Sequence, residues 1–237
     1  MTQKKKTKET FIVVMPSFNE EERIEKTIRS WAKIIDKVPG SEILIIDGSS
    51  TDRTPKIIQR LQKEFKFLKL INKKREGYGK DLIHGYKIAL KSAHDWIFQT
   101  DADSPFNIKD FFKLWSKRHT SPFIIARRYK RRDVRYRIVL AWAIELWIAV
   151  LFNKKIKDAN IPFRLIRQKY LKNILNLIPQ NTIAPNLFLT IIASRDGHDL
   201  HHIPVEHYFR NNSQNSSRLL KGAIKGFFEL TMFALTL

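Results

Sequence analysis

The sequence predicts an α/β protein built on a mostly parallel sheet, and three observations predict it. Short β-branched or apolar runs alternate with amphipathic stretches of helical spacing through the first half of the chain, the pattern of βαβ units. Acidic and amide side chains recur just after those runs, where an open parallel sheet places its ligand site. The length, 237 residues, suits one sizeable domain that buries its own core.

The elements follow in order. Phe11–Met15 (FIVVM) is a buried-strand run closed by Pro16, and Ser17-Phe18-Asn19-Glu20 comes next. From Glu20 to Ile35, Ile24, Ile28, Trp31, Ala32 and Ile35 recur at helical spacing, and Pro39-Gly40 ends the pattern. A second strand, Glu42–Ile46, runs into Asp47-Gly48-Ser49-Ser50, and a helix is expected over Thr54–Phe65. Leu68–Ile71 is a third strand, followed by the loop REGYGKD and a helix to about Ala93. The fourth strand, Trp96–Gln99, ends at Asp101-Ala102-Asp103. The second half is less regular: a basic stretch at 127–137, an apolar helix over Ile138–Phe152, the segment Asp158–Leu165, a helix to about Ile178 and a strand over Leu200–Val205.

Composition narrows the chemistry. Hydrophobic residues make up 43% of the chain, with 16 Phe and 5 Trp, which excludes disorder. There is no cysteine, which excludes a disulfide scaffold, a thiolate metal site and a cysteine nucleophile. Lys and Arg number 44 against 23 acids, a net charge of +21. That surplus implies an anionic partner: nucleic acid, an acidic membrane surface or a phosphorylated small molecule. The basic start, MTQKKKTKET, has no apolar stretch behind its lysines, so no secretory signal is expected. The 15 residues Ile138–Phe152 fall short of a bilayer span, as does the apolar end KGFFELTMFALTL. Both suit helices lying on a membrane, with Lys and Arg around them.

Each polar signal has two readings. Asp101 and Asp103 at a strand end suit a hard divalent cation, which would neutralise a diphosphate; alone they also read as a turn with two solvated aspartates. Asp47 reads either as a carboxylate for a base or ribose, or as an Asp-Gly turn before a capping Ser or Thr. Asn19-Glu20 reads as a ligand contact or as the cap and first-turn acid of a helix. The histidines at 198, 201, 202 and 207 lack metal-ligand spacing.

Taken in order, VVMPSFNEEERI, IIDGSSTDRT, REGYGKDLIHGYKIAL and QTDADSPF resemble the successive motifs of family 2 glycosyltransferases with the GT-A fold. Phe18 stands where that family usually has Tyr, Gly48 at the second acid of its DDGSxDxT segment, and Asp81 at a small-residue position of its Gly-rich loop, whose Gly77, Gly79 and Gly85 are present. The resemblance implies a Rossmann-like, mostly parallel sheet flanked by helices, in a single domain with amphipathic membrane-interface helices. It implies that Pro16, Phe18, Asn19, Glu20, Asp47, Gly77 and Gly79 hold a nucleoside-diphosphate sugar. Asp101, Ala102 and Asp103 would hold its diphosphate, with Mg²⁺ or Mn²⁺ on Asp101 and Asp103.

The second half is similar to the polyprenyl-phosphate (dolichyl-phosphate mannose synthase-like) branch of that family. The matching positions are Arg127, Arg137, Asp158 with Phe163-Arg164, and Arg210 with Ser216, implied to surround the acceptor phosphate. Pro105 replaces a Gln frequent two residues after the DxD, and Ser213 replaces a Gly. The Q-x-x-R-W motif of processive synthases is absent, so single rather than repeated transfer is expected. The expected organisation is a basic tail (1–9), a catalytic domain (10–218) with a nucleotide-sugar half (10–120) and an acceptor half (121–218), and a C-terminal apolar helix (219–237). The expected reaction is inverting hexose transfer to a lipid phosphate at the cytoplasmic face of a membrane, with peripheral attachment. Asp158 is the candidate base, although a phosphate acceptor is already ionised and needs none. A saccharide hydroxyl is the alternative acceptor. A nucleic-acid-binding protein would explain the charge but leaves the acids at the strand ends without a purpose.

Overall fold

Strand β1 (Phe11–Ser17) is buried from end to end, as a β-branched run needs when both faces of its sheet are covered. The computed structural model describes residues 8–103, 105–129, 135–208 and 216–236. Around β1 it lays β2 (Glu42–Asp47) and β3 (Leu68–Asn72) to one side and β4 (Trp96–Thr100) to the other, all parallel. The intervening helices are α1 (Ile24–Ile35), α2 (Thr54–Glu64) and α3 (Tyr78–Ala89). The chain steps outward from β1 to β3 and then returns beside β1 as β4. The carboxyl ends of β1 and β4 therefore flank the crevice where the winding reverses, which is where open α/β sheets bind ligands.

The second half extends the same sheet. After a short 3-10 turn (Ile108–Asp110) and α4 (Phe111–Ser116) come β5 (Phe123–Tyr129), α5 (Arg135–Phe152), β6 (Phe163–Arg167), α6 (Gln168–Ile174), α7 (Pro185–Arg195), β7 (Ile203–Glu206) and α8 (Ser216–Ala234). The seven strands run in the order β3-β2-β1-β4-β6-β5-β7. Strand β6 is antiparallel to both β4 and β5, while β7 is parallel to β5. The register pairs Thr100 with Phe163, Gln99 with Arg164 and Ile125 with Arg164. The start of β6 and the ends of β4, β5 and β7 therefore share one edge of the molecule.

The core explains the composition. Phe11, Trp31, Phe98 and Phe111 pack with ring centroids 4.5–6.4 Å apart beneath the sheet. On the other face α3 lies so close that a Cβ on Gly85 would stand 2.7 Å from Val14 Cγ1.

Several expectations need correction. The first helix starts at Ile24, not Glu20, because the amides of Glu20 and Glu21 are taken by Thr54 Oγ1 and Asp52 across the neighbouring loop. The basic stretch begins on β5, and the apolar helix starts at Arg135. The helix expected to reach Ile178 stops at Ile174. The strand placed at Leu200–Val205 lies at Ile203–Glu206, and the C-terminal helix starts at Ser216 rather than 219. Helix α7 had no prediction: Pro185–Ala193 are all buried, so it has no polar face to give a 3.6-residue rhythm.

Candidate active site

The loops after β1 and β2 are stapled to each other. Asn19 turns into a left-handed conformation (φ 54°), which Asn tolerates better than most residues. Its amide donates to Ser50 Oγ (2.9 Å), and its side-chain oxygen accepts from the Thr51 amide (2.8 Å). Asp47 is fully buried and accepts from the Ser50 amide (2.8 Å) and hydroxyl (2.6 Å). Asp47 thus closes an Asx-type turn that shapes the loop, and Asn19-Glu20 bridge two loops instead of capping α1. Pro16 is buried on β1, and Phe18 is partly exposed with the Arg75 guanidinium 3.5 Å above its ring. Behind this floor, Asp81 is held by Lys73 Nζ at 2.8 Å.

The Gly-rich loop completes one wall. Gly77 adopts φ 104°, open only to glycine at low cost. Gly79 is pressed against the loop before α7: a Cβ there would stand 2.0 Å from the Thr182 carbonyl oxygen. Between these glycines Tyr78 donates its hydroxyl to Asp101 Oδ1 (2.9 Å), and Gln99 Nε2 donates to the Tyr78 oxygen (3.3 Å). Gln99 is held in turn by Asn186 of α7, whose Nδ2 donates to Gln99 Oε1 (3.0 Å). Burial of that hydroxyl, reinforced by the Asp101 charge, pushes the Tyr78 phenol well above its ordinary range, so it stays protonated as a donor.

Asp101 and Asp103 stand one residue apart at the end of β4, with Ala102 buried between them and its carbonyl accepting from Thr27 Oγ1 (2.9 Å). Among the described residues, no group of three or more His, Cys, Asp or Glu side chains is arranged to hold a metal ion. Two carboxylates nonetheless fit a hard cation that fills its remaining positions with water and substrate phosphate. Pro105 accepts the Tyr208 amide at its carbonyl (2.8 Å), tying the loop after Asp103 to the end of β7.

On the acceptor side the expected residues part company. Arg127 is exposed at the end of β5, on the same edge as Asp101. Arg164 is fully buried. Its Nε and Nη2 donate to the Ile161 carbonyl, Nη2 also to Ala159, and Nη1 to the Asn186 carbonyl and Thr190 Oγ1. All five donors are engaged, so Arg164 braces the loop before β6 and α7 instead of meeting an acceptor phosphate. Burial pulls its guanidinium below the ordinary arginine value, against which Tyr86, Tyr78, Asp158 and Asp101 act. Asp158 is also corrected: its carboxylate accepts from the Arg128 amide (2.9 Å) and guanidinium, while its own amide donates to Glu145 of α5 (2.8 Å). With Oδ1 on the Arg128 guanidinium and Oδ2 on the Arg128 backbone amide, both carboxylate oxygens are engaged, and Asp158 links β5 to α5. Arg210 and Ser213 lie outside the described residues, as do the side chains of Arg137 and Ser216.

Sequence reasoning missed Tyr78, Gln99, Asn186, Arg75 and Arg128. Tyr78 sits inside the quoted Gly-rich loop and Gln99 just before the DxD, but no spacing rule links them to Asn186, 87 residues further on.

The paired carboxylates, the Gly-rich wall and the Asx-closed loop thus gather at the switch point of an open α/β sheet. Residues 12–184 match the family model described as glycosyl transferase family 2. The chain belongs to that family, and the protein is a glycosyltransferase. It is 30% identical over 175 residues to an uncharacterised protein of Methanocaldococcus jannaschii, covering 69% of this chain and 74% of that one. It is 22% identical to the undecaprenyl-phosphate mannosyltransferase of Micrococcus luteus, with 82% of each chain covered. Among solved structures, glucosyl-3-phosphoglycerate synthase from Mycobacterium tuberculosis bound to uridine diphosphate superposes with a TM-score of 0.71. It covers 95% of this chain and 80% of that one at 15% identity. The same synthase has been solved with Mn²⁺, UDP-glucose and phosphoglyceric acid (TM-score 0.69, 14% identity, covering 95% of this chain and 80% of that one).

Proposed function

We propose that the protein transfers a hexose, with inversion, from a nucleoside-diphosphate sugar to a polyprenyl phosphate while resting on the cytoplasmic face of a membrane. The observation that carries this reading is the paired outer face of α5 and α8. The two helices join through Trp147 Nε1 donating to Thr231 Oγ1 (3.1 Å) and the Trp147–Phe227 ring contact. Outward they leave Val139, Trp142, Val150, Ile224 and Phe228 each more than 60% exposed. Apolar exposure of this kind on a chain of net charge +21 suits an anionic membrane surface. Among the described residues, no helix is long and apolar enough to cross a membrane.

In this reading residues 10–120 hold the donor and 121–218 the acceptor. Pro16, Phe18, Asn19, Glu20, Asp47 and the Gly77–Gly79 loop shape the nucleoside side. Asp101 and Asp103 would hold Mg²⁺ or Mn²⁺, which when bound supplies positive charge against the diphosphate leaving group. Tyr78 fixes the rotamer of Asp101. Arg127, Arg137 and Arg210 receive the acceptor phosphate, whose oxygen is already anionic and attacks without a base. The engagement of Asp158 by Arg128 agrees with an acceptor of that kind. The mannosyltransferase named for undecaprenyl phosphate and the synthase solved with Mn²⁺ and UDP-glucose support the substrate and metal classes.

The test supplies labelled nucleotide-sugars and a polyprenyl phosphate with Mn²⁺ or Mg²⁺. Label should enter an organic-extractable, mild-acid-labile product, and Asp103→Ala should abolish it. A water-soluble glycan product would instead establish a hydroxyl acceptor.

A further inference from the structure

On the face of the sheet opposite α3, a cleft of about 840 Å³ separates α1 from the segment that follows Asp103. One wall carries Lys26 and Lys33, two helical turns apart on one face of α1, with Arg23 just before the helix and Lys37 just beyond it. Lys109 projects from the opposite wall, and Asp103 is the one acid on the lining among the described residues. The acid of α1 points elsewhere: Glu25 is taken by Arg29 and Arg60 on the side of α2. Among the described residues, Arg23, Lys26, Lys33, Lys37 and Lys109 have no ion-pair partner.

Cations converging on one cleft repel one another, a penalty that a bound anion would remove. Between the cations Ile34, Phe106 and Phe112 supply apolar lining beside Thr27, Ser30 and Asn107, with Lys37 Nζ 5.4 Å over the Phe112 ring. Thr27 ties this wall to the carboxylate pair through its hydrogen bond to the Ala102 carbonyl.

We propose that the α1 cleft is a second phosphate-binding site, distinct from the Arg127 edge, that takes a phosphate ester with an apolar body and presents it beside Asp103. Its charge suits a phosphate monoester or diphosphate, from either a lipid headgroup or a free phosphorylated metabolite. The site stands without the transfer reaction proposed above, because binding is read with no donor present.

The experiment measures binding by the full chain in a chelator, so that no cation bridges the carboxylates. One probe is inorganic pyrophosphate; the other is phosphatidylcholine vesicles with and without phosphatidic acid. Lys26→Glu/Lys33→Glu is compared with Lys63→Glu/Lys172→Glu, an equal charge change at exposed positions on α2 and α6. The cleft pair should weaken binding about tenfold and the control pair less than about twofold. Loss with pyrophosphate identifies a free phosphate as ligand, and loss with phosphatidic-acid vesicles alone identifies a headgroup. Equal loss in both pairs, or no loss in either, overturns the site. Lys26→Gln/Lys33→Gln repeats the comparison should the reversal disturb folding, and Lys109→Glu should weaken the same probe from the facing wall.

Discussion

The Tyr78 hydroxyl donates to Asp101 Oδ1 at 2.9 Å, joining the Gly-rich loop to the carboxylate pair. This bond ties the start of α3 to the end of β4 within one βαβ unit, and it fixes the orientation of one of two proposed metal ligands. Tyr78→Phe keeps the ring and removes the bond. Such a charge-assisted bond contributes about 1.5–3 kcal/mol, so kcat/KM should fall roughly tenfold or more. The concentration of Mn²⁺ giving half-maximal rate should rise in parallel. An unchanged metal dependence would remove Tyr78 from the site.

Arg164 should behave as a structural residue. Arg164→Met leaves buried carbonyls without their donors, so unfolding stability should drop by about 3–5 kcal/mol, read from a denaturant midpoint. Arg164→Lys should recover part of it, because an ammonium cannot reproduce the planar five-donor fork. A variant of wild-type stability with a raised acceptor KM would restore Arg164 to phosphate binding.

Gly79 admits no side chain. With a Cβ 2.0 Å from the Thr182 carbonyl oxygen, Gly79→Ala must push α3 away from the loop before α7. The expected loss is about 3 kcal/mol, a fall of roughly 10 °C in Tm. Thr182 is itself tied to α8, its hydroxyl donating to Glu229 at 2.6 Å. Calorimetry of Gly79→Ala beside Glu229→Gln shows whether both changes loosen the same unit.

His202 supplies a pH dependence whose sign is set by its surroundings. Burial first, then the Arg127 cation, hold its imidazole below the ordinary value of 6.5. The unfolded chain therefore binds a proton more readily than the folded one. The associated stability is present above about pH 6.5 and is lost as pH falls through the lowered native value. Chemical denaturation at pH 7 and pH 5 should show a smaller acid loss in His202→Asn than in the native chain. Asn suits the positive φ of 40° at this position.

What was legible in the sequence was the local part. Periodicity placed β1 to β4 and the cores of α1 to α3, because each is an apolar pattern over a few residues and needs no partner to be seen. Four short motifs placed the loops at the strand ends, because turns there demand Asp, Asn and Gly for their own backbone conformations. The remainder depended on burial. Helix α7 was invisible because the fold covers it all round, which erases amphipathic rhythm. Arg164 reads in one dimension as a phosphate ligand and in three as a buried brace, since β6 enters the sheet antiparallel between β4 and β5 and carries it inward. Asp158 followed the same course once Arg128 was brought to it.

The sequence by itself determined the fold class, the succession along the chain of the first four strands and the polar loops after them, and the excess of positive charge. Only the tertiary structure decided where that charge acts. Contacts between residues far apart in sequence assign each cation to a carbonyl cage, an ion pair or an open cleft, and no local pattern distinguishes the three. Arg164 is enclosed, Arg128 is paired, and Arg23, Lys26 and Lys33 face open space beside Asp103.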